Sequence, residues 1–121
     1  MATADSLEQT VRTIDAFTQE RDWEQFHSVK NLMASVSIEA SELNETIQWE
    51  NPSPQEIIKN TKLHSEIGEE LADVMVYCLR LCSLLGLEPI EMMNAKIEKN
   101  RLKYPISKSK GNSSKYTSYE N

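Results

Sequence analysis

The chain has 121 residues and a net charge of -6, a length that suits one domain of roughly 100–150 residues. The charge argues against a general nucleic-acid binder, because phosphate backbones select basic surfaces. No apolar run approaches the roughly 18–20 residues needed to span a bilayer, so no membrane partner is expected. The stretch Met1–Asp22 carries charges throughout and does not read as a signal peptide. Cys78 and Cys82 lie four apart in an apolar segment, where they are expected as reduced, buried thiols. Together these features predict a cytoplasmic protein, with a nuclear or mitochondrial pool left open.

Few glycines and prolines interrupt the sequence, and no segment alternates with period two, which predicts helices and no sheet. The first helix is expected from Asp5 or Ser6, with Leu7, Val11, Ile14 and Phe17 at helical spacing. The second runs from His27 or Ser28 to about Trp49, on a stripe of Val29, Leu32, Met33, Val36, Ala40, Leu43 and Ile47. Ser53 and Pro54 then restart a short helix as N-cap and first residue, with Glu56 completing a capping box. The third long helix spans about Lys62–Leu85, its apolar positions including Ile67, Leu71, Val74, Met75, Cys78, Leu81 and Cys82, and Gly86 ends it. Pro89 opens a fourth, with Ile90, Met93 and Ile97 facing inward, which stops before Tyr104-Pro105. The reading is an all-α, antiparallel four-helix bundle over residues 1–105, followed by a flexible polar tail at 106–121. Broad apolar faces in so short a chain also suggest self-association.

Two pairs of carboxylates stand out. Glu39 and Glu42 are three residues apart on the second helix, and Glu70 and Asp73 are three apart on the third. Such pairs project from one face of a helix. At about 100° per residue, Glu39 sits about 60° from the axis of the buried stripe and Glu42 about 120° from it, on the same side. If the two helices pack side by side, the four carboxylates converge, and four anions brought together need a cation. Hard oxygen ligands favour Mg²⁺, with Mn²⁺ possible, over zinc. The competing reading is two solvated acidic faces, which is the default for exposed charge.

The residues around these pairs are more specific. Ile38-Glu39-Ala40-Ser41-Glu42-Leu43-Asn44-Glu45 followed by Glu69-Glu70-Leu71-Ala72-Asp73 resembles the metal motif of the MazG-like all-α nucleoside triphosphate pyrophosphatases. Arg21-Asp22-Trp23-Glu24-Gln25-Phe26-His27, Ile47-Gln48-Trp49, Asn100-Arg101 before Tyr104-Pro105, and Ser114-Lys115-Tyr116-Thr117 are similar to the dCTP-hydrolysing branch of that family. The resemblance implies a MazG-like domain at 1–105 and Mg²⁺-dependent hydrolysis between the α and β phosphates. dCTP would yield dCMP and diphosphate, in nucleotide-pool sanitation. It implies Glu39, Glu42, Glu70 and Asp73 as metal-holding catalytic residues. Trp23, Glu24, Gln25, Phe26, His27, Trp49 and Tyr77 would contact substrate. Lys96 and Asn100 would reach phosphates or a neighbouring subunit, in a homotetramer built as a dimer of dimers.

Ile14 departs from the resemblance, standing where the animal dCTP enzymes carry a histidine, and an apolar residue cannot make that polar contact. Ile38 and Ser41 replace frequent glycines, which slightly favours the helix. Glu39 or Glu42 could accept the proton of the attacking water, while Glu45 and Glu69 stand beside the metal set. His64 reads as a surface residue. Two alternatives stay open: a relative with another base preference, dUTP or a modified pyrimidine, and a non-catalytic helical interaction module. A di-iron bundle ranks last because it needs two Glu-x-x-His pairs, and the sequence offers one, Glu24 with His27, while His64 follows no glutamate by three residues.

Overall fold

The computed structural model describes residues 6–119. It contains α1 (Leu7–Glu20), a 3-10 turn (Glu24–Phe26), α2 (Val29–Glu45), α3 (Pro54–Lys59), α4 (Thr61–Leu85), α5 (Pro89–Lys103), α6 (Ile106–Ser109) and a second 3-10 turn (Tyr116–Ser118). Among the described residues there is no strand, and no helix is long and apolar enough to cross a membrane.

Local chemistry sets the boundaries. Ser6 and Ser28 cap α1 and α2 by accepting from the backbone N–H groups of Gln9 and Asn31, which satisfies donors that a helix start leaves orphaned. Ser53 does the same for α3, accepting from Glu56 N–H at 3.2 Å. Its hydroxyl also meets the Glu56 carboxylate at 3.3 Å. Asn60 closes α3 and opens α4, its side chain accepting from Leu63 N–H at 3.1 Å. Gly86 ends α4 at φ 64°, the left-handed conformation that glycine adopts without a Cβ penalty. α2 stops at Glu45, short of the expected Trp49. Residues 46–49 form turns, and Thr46 Oγ1 donates back to the Leu43 carbonyl at 2.7 Å.

Contacts divide the chain into two compact units, Met1–Gly86 and Leu87–Asn121. In the first, α4 is the hub, with α2 along it and α1 and α3 against it. The direction of α2 follows from the side chains that meet. His27, just before α2, bonds Arg80 near the end of α4, whereas Glu39, further along α2, meets Glu70 and Asp73 earlier in α4. The two helices are therefore antiparallel, as expected for a bundle.

The core is sparse. Among the described residues Leu32 is the one sealed almost completely, at 1% exposed, and Cys82 is the other buried apolar side chain. Cys78, expected inside, is exposed; both thiols are free. The stripes of α2 and α4 leave Met33, Leu71 and Met75 about half exposed. In the second unit Ile90, Met93 and Ile97, expected to face inward, are about half exposed as well. The polar tail of that unit carries two local turns. Around them Tyr104 meets Tyr116 and Tyr119 edge-on, with ring centroids 6.1 and 6.0 Å apart.

Candidate functional site

The carboxylates of α2 and α4 do converge. One oxygen each from Glu39, Glu70 and Asp73 lies within 4.8 Å of the others. Glu39 and Glu70 are half-buried and Asp73 is exposed. Glu42 stands beside this group and outside it, on the exposed side of α2. The electrostatics match the geometry. Glu39 is pushed from 4.5 up to about 7, first by loss of solvation, then by a hydrogen bond to Glu42 and the charges of Glu42, Asp73 and Glu70. Glu70 is raised too, by desolvation and then by Glu42 and Asp73. Oε2 of Glu39 and Oε2 of Glu70 are both buried without a hydrogen-bond partner. Buried carboxylate oxygens normally find a donor. Orphaned oxygens facing other anions fit a divalent cation with hard ligands.

Beside this group lies a cavity of about 430 Å³ in the same unit, within the usual range for small-ligand sites. Its walls are Ile14 and Phe17 of α1, Trp23, and Val76 of α4. Thr13, Thr18, His27, Tyr77 and Arg80 supply its polar lining, and Asp73 belongs both to it and to the carboxylate group. Trp23 is held edge-on against Phe17, with ring centroids 5.7 Å apart. The turn that delivers Trp23 begins at Asp22 with φ 54°, a left-handed residue that a short polar side chain tolerates. The Thr18 hydroxyl is spent on the Ile14 carbonyl at 2.9 Å.

The segment 23–27 divides in two. Trp23 and His27 line the cavity, as does Tyr77 one turn beyond Asp73. Glu24, Gln25 and Phe26 do not: they form the exposed 3-10 turn, and Gln25 Nε2 is engaged by Asp22. Trp49 is 88% exposed and lines a separate depression with Glu45, Lys62 and Glu66. Lys96 and Asn100 lie four residues apart on α5, in the second unit. Neighbouring basic residues there have local partners: Arg101 pairs with Glu98 at 3.4 Å, and Lys103 lies over the Tyr116 ring.

Sequence reasoning missed Arg80 and Asp15. Arg80 is 6% exposed. It donates through Nη1 to Asp15 Oδ1 at 2.9 Å and through Nε to His27 Nδ1 at 3.2 Å. Ser83 Oγ donates to the second Asp15 oxygen at 2.9 Å. A signal was present in the spacing. Asp73, Tyr77 and Arg80 recur at i, i+4 and i+7, one helical face on which a lone cation follows a carboxylate and a phenol.

Comparison with known proteins identifies the family. A sequence profile of the MazG-like family matches residues 34–118. dCTP pyrophosphatase 1 of Bos taurus is 35% identical over 115 residues, covering 93% of this chain and 67% of the relative. The Homo sapiens protein of that name is 34% identical over the same length, covering 66% of the relative. The chain thus spans about two thirds of the length of these relatives. A crystallised pyrophosphatase from Archaeoglobus fulgidus is 37% identical and superposes with a TM-score of 0.75, covering 87% of this chain and 97% of that one. By profile, relatives and fold together, the chain belongs to the MazG-like family.

Proposed function

We propose that this chain is a Mg²⁺-dependent nucleotide pyrophosphohydrolase that hydrolyses a pyrimidine deoxyribonucleoside triphosphate, dCTP first, to the monophosphate and diphosphate. The observation that carries the reading is the position of Asp73, shared by the carboxylate group and the aromatic-walled cavity. A nucleotide with its base among Phe17, Trp23 and Val76 has its phosphates directed toward the acidic residues. The names of the relatives support the same class of reaction.

Glu39, Glu70 and Asp73 would hold the cation, with Glu42 as the fourth carboxylate. A bound Mg²⁺ supplies charge neutralisation at the phosphates and a lower pKa for water. The protein's own contribution is placement and exclusion. Trp23 offers a face or edge to the base, worth about 1–3 kcal/mol where a base stacks on it. Tyr77 lines the cavity one turn beyond Asp73, so a sugar oxygen would be the natural partner of its hydroxyl. Attack of water on the α-phosphorus breaks the bond to the α–β bridging oxygen, and diphosphate leaves. An acidic site cannot attract a triphosphate directly, so activity requires the cation.

One observation favours a second base preference. Ile14 lines the cavity, and its apolar side chain suits a pyrimidine carrying a methyl group, as in 5-methyl-dCTP, better than a polar edge. The half-exposed Met33, Leu71, Met75, Ile90, Met93 and Ile97 support a homo-oligomer, read here as a tetramer, since large apolar surfaces are rarely left to water. A cytoplasmic nucleotide pool is the setting that fits two free thiols.

The test is diphosphate release from dCTP, 5-methyl-dCTP, dUTP, dTTP and dATP, each with Mg²⁺ and with EDTA. Metal-dependent release led by a cytosine nucleotide is expected, together with its loss in Glu70→Gln at unchanged helicity. Equal turnover by Glu70→Gln would remove the metal-holding role. No release from any triphosphate would leave the non-catalytic module as the better reading.

A further inference from the structure

The polar relay beside the cavity has a direction. Asp15 has both carboxylate oxygens engaged, one by Arg80 and one by Ser83, each at 2.9 Å. A guanidinium is planar, so pinning Nη1 on Asp15 also fixes where Nε points. It points at His27 Nδ1, 3.2 Å away. Arginine Nε is only ever a donor, and therefore Nδ1 must offer its lone pair. The neutral ring then carries its proton on Nε2. Burial and the Arg80 charge both lower the His27 pKa, outweighing the pull of Glu24, which keeps the ring neutral. Its one remaining polar group is the Nε2–H donor, and His27 lines the cavity.

We propose that Arg80 is a positioning residue that sets base selection: by holding His27 in the Nε2–H form, it makes this ring an obligate donor placed for the base N3, which in cytosine accepts the bond and in uracil or thymine is itself an N–H. The inference rests on the nucleotide reading above. A free neutral imidazole can exchange tautomers and serve as donor or acceptor, so it discriminates poorly. Locking removes that choice. Cytosine presents an acceptor at N3, whereas uracil and thymine present an N–H there. Two donors brought face to face in a half-buried site both lose their partners, which is how polar sites reject a near-isostere. The anchoring of Arg80 on Asp15 also explains why a cation is tolerated as a buried side chain of α4: it is paired and hydrogen-bonded on both sides.

The experiment uses the full chain and three proteins: wild type, Arg80→Lys, and the double variant Asp15→Asn/Arg80→Met, which leaves no carboxylate without a partner. Nitrogen-15 NMR of the His27 ring reports the tautomer, and kcat and KM are measured for dCTP and dUTP with Mg²⁺. The wild type is expected to show an unprotonated Nδ1 and a protonated Nε2. In both variants the ring should populate both tautomers. The dCTP-to-dUTP ratio in kcat/KM should fall about tenfold, the weight of one hydrogen bond, mainly through a higher KM for dCTP. Arg80→Lys retains the charge opposite Asp15 and guards against a folding defect in the double variant. An Nδ1–H ring in the wild type overturns the proposal. So does an equal loss for both nucleotides, which a purely structural staple would produce. If the wild type hydrolyses no triphosphate, the activity reading fails by itself. Binding of dCMP against dUMP, followed at the Nε2–H resonance, then decides: a wild-type preference for dCMP that the variants lose supports the lock, and equal binding overturns it.

Discussion

Replacing Glu39 by glutamine should stabilise the metal-free protein while destroying its use of metal. Glu39 is raised from 4.5 to about 7 because it is desolvated and surrounded by Glu42, Asp73 and Glu70. A folded-state pKa above the unfolded value means that the native state binds the extra proton. Metal-free stability therefore falls as pH rises from about 4.5 through about 7. A shift of that size corresponds at face value to about 3 kcal/mol. The site is open on the Asp73 and Glu42 side, so solvent screening leaves about 1 kcal/mol. For a chain of this length that is about 3–5 °C in Tm. In EDTA at pH 8, Glu39→Gln should melt higher than wild type by that amount. At pH 5, where the wild-type carboxyl is already protonated, the two should nearly coincide. Mg²⁺ should reverse the order at pH 8, because binding to the native state alone raises the wild-type Tm and the variant has lost a ligand. Thermal melts in these three conditions suffice. A lower Tm for the variant in EDTA at pH 8, or the same gain at both pH values, would refute the electrostatic account.

Three further outcomes are expected. Leu32→Ala, at the most deeply buried side chain of the unit, should cost about 2–5 kcal/mol in denaturant unfolding; a loss below 1 kcal/mol would mean that the core lies elsewhere. Gly68 sits inside α4 with open space where a Cβ would go, so Gly68→Ala should add about 1 kcal/mol of stability. If that variant instead dissociates a larger assembly in light scattering, a second copy covers this face. Trp23→Ala should raise KM by roughly 5- to 100-fold, the weight of one base contact, whereas Trp49→Ala in the same assay should change KM less, in keeping with its exposed place outside the cavity. The reverse order would show that the base binds at the Trp49 depression.

How much of this was legible in the sequence depends on the range of the interaction. Helix ends were readable because they are local: Ser53-Pro54, Asn60 and Gly86 act on donors and acceptors within four residues of themselves. The carboxylate site was readable for a similar reason, since helical angle converts spacing into direction. Glu39 at about 60° from the stripe of α2 is half-buried and joins the three-oxygen group, whereas Glu42 at about 120° is exposed and remains beside it. Periodicity, however, states that a face will be covered and not what covers it. Leu71 and Met75 follow the stripe of α4 as faithfully as Cys82 does, yet Cys82 is buried and they stand about half open. Trp49 follows the same logic, because an aromatic ring announces contact without naming its partner. Arg80 failed for the opposite reason. A cation amid apolar residues looks like a solvated exception until Asp15, 65 residues earlier, is brought against it. Long-range pairing of single charges leaves no period to count. Yet in this cavity it is that pairing, and not the apolar walls, that fixes which nitrogen of His27 is left to donate.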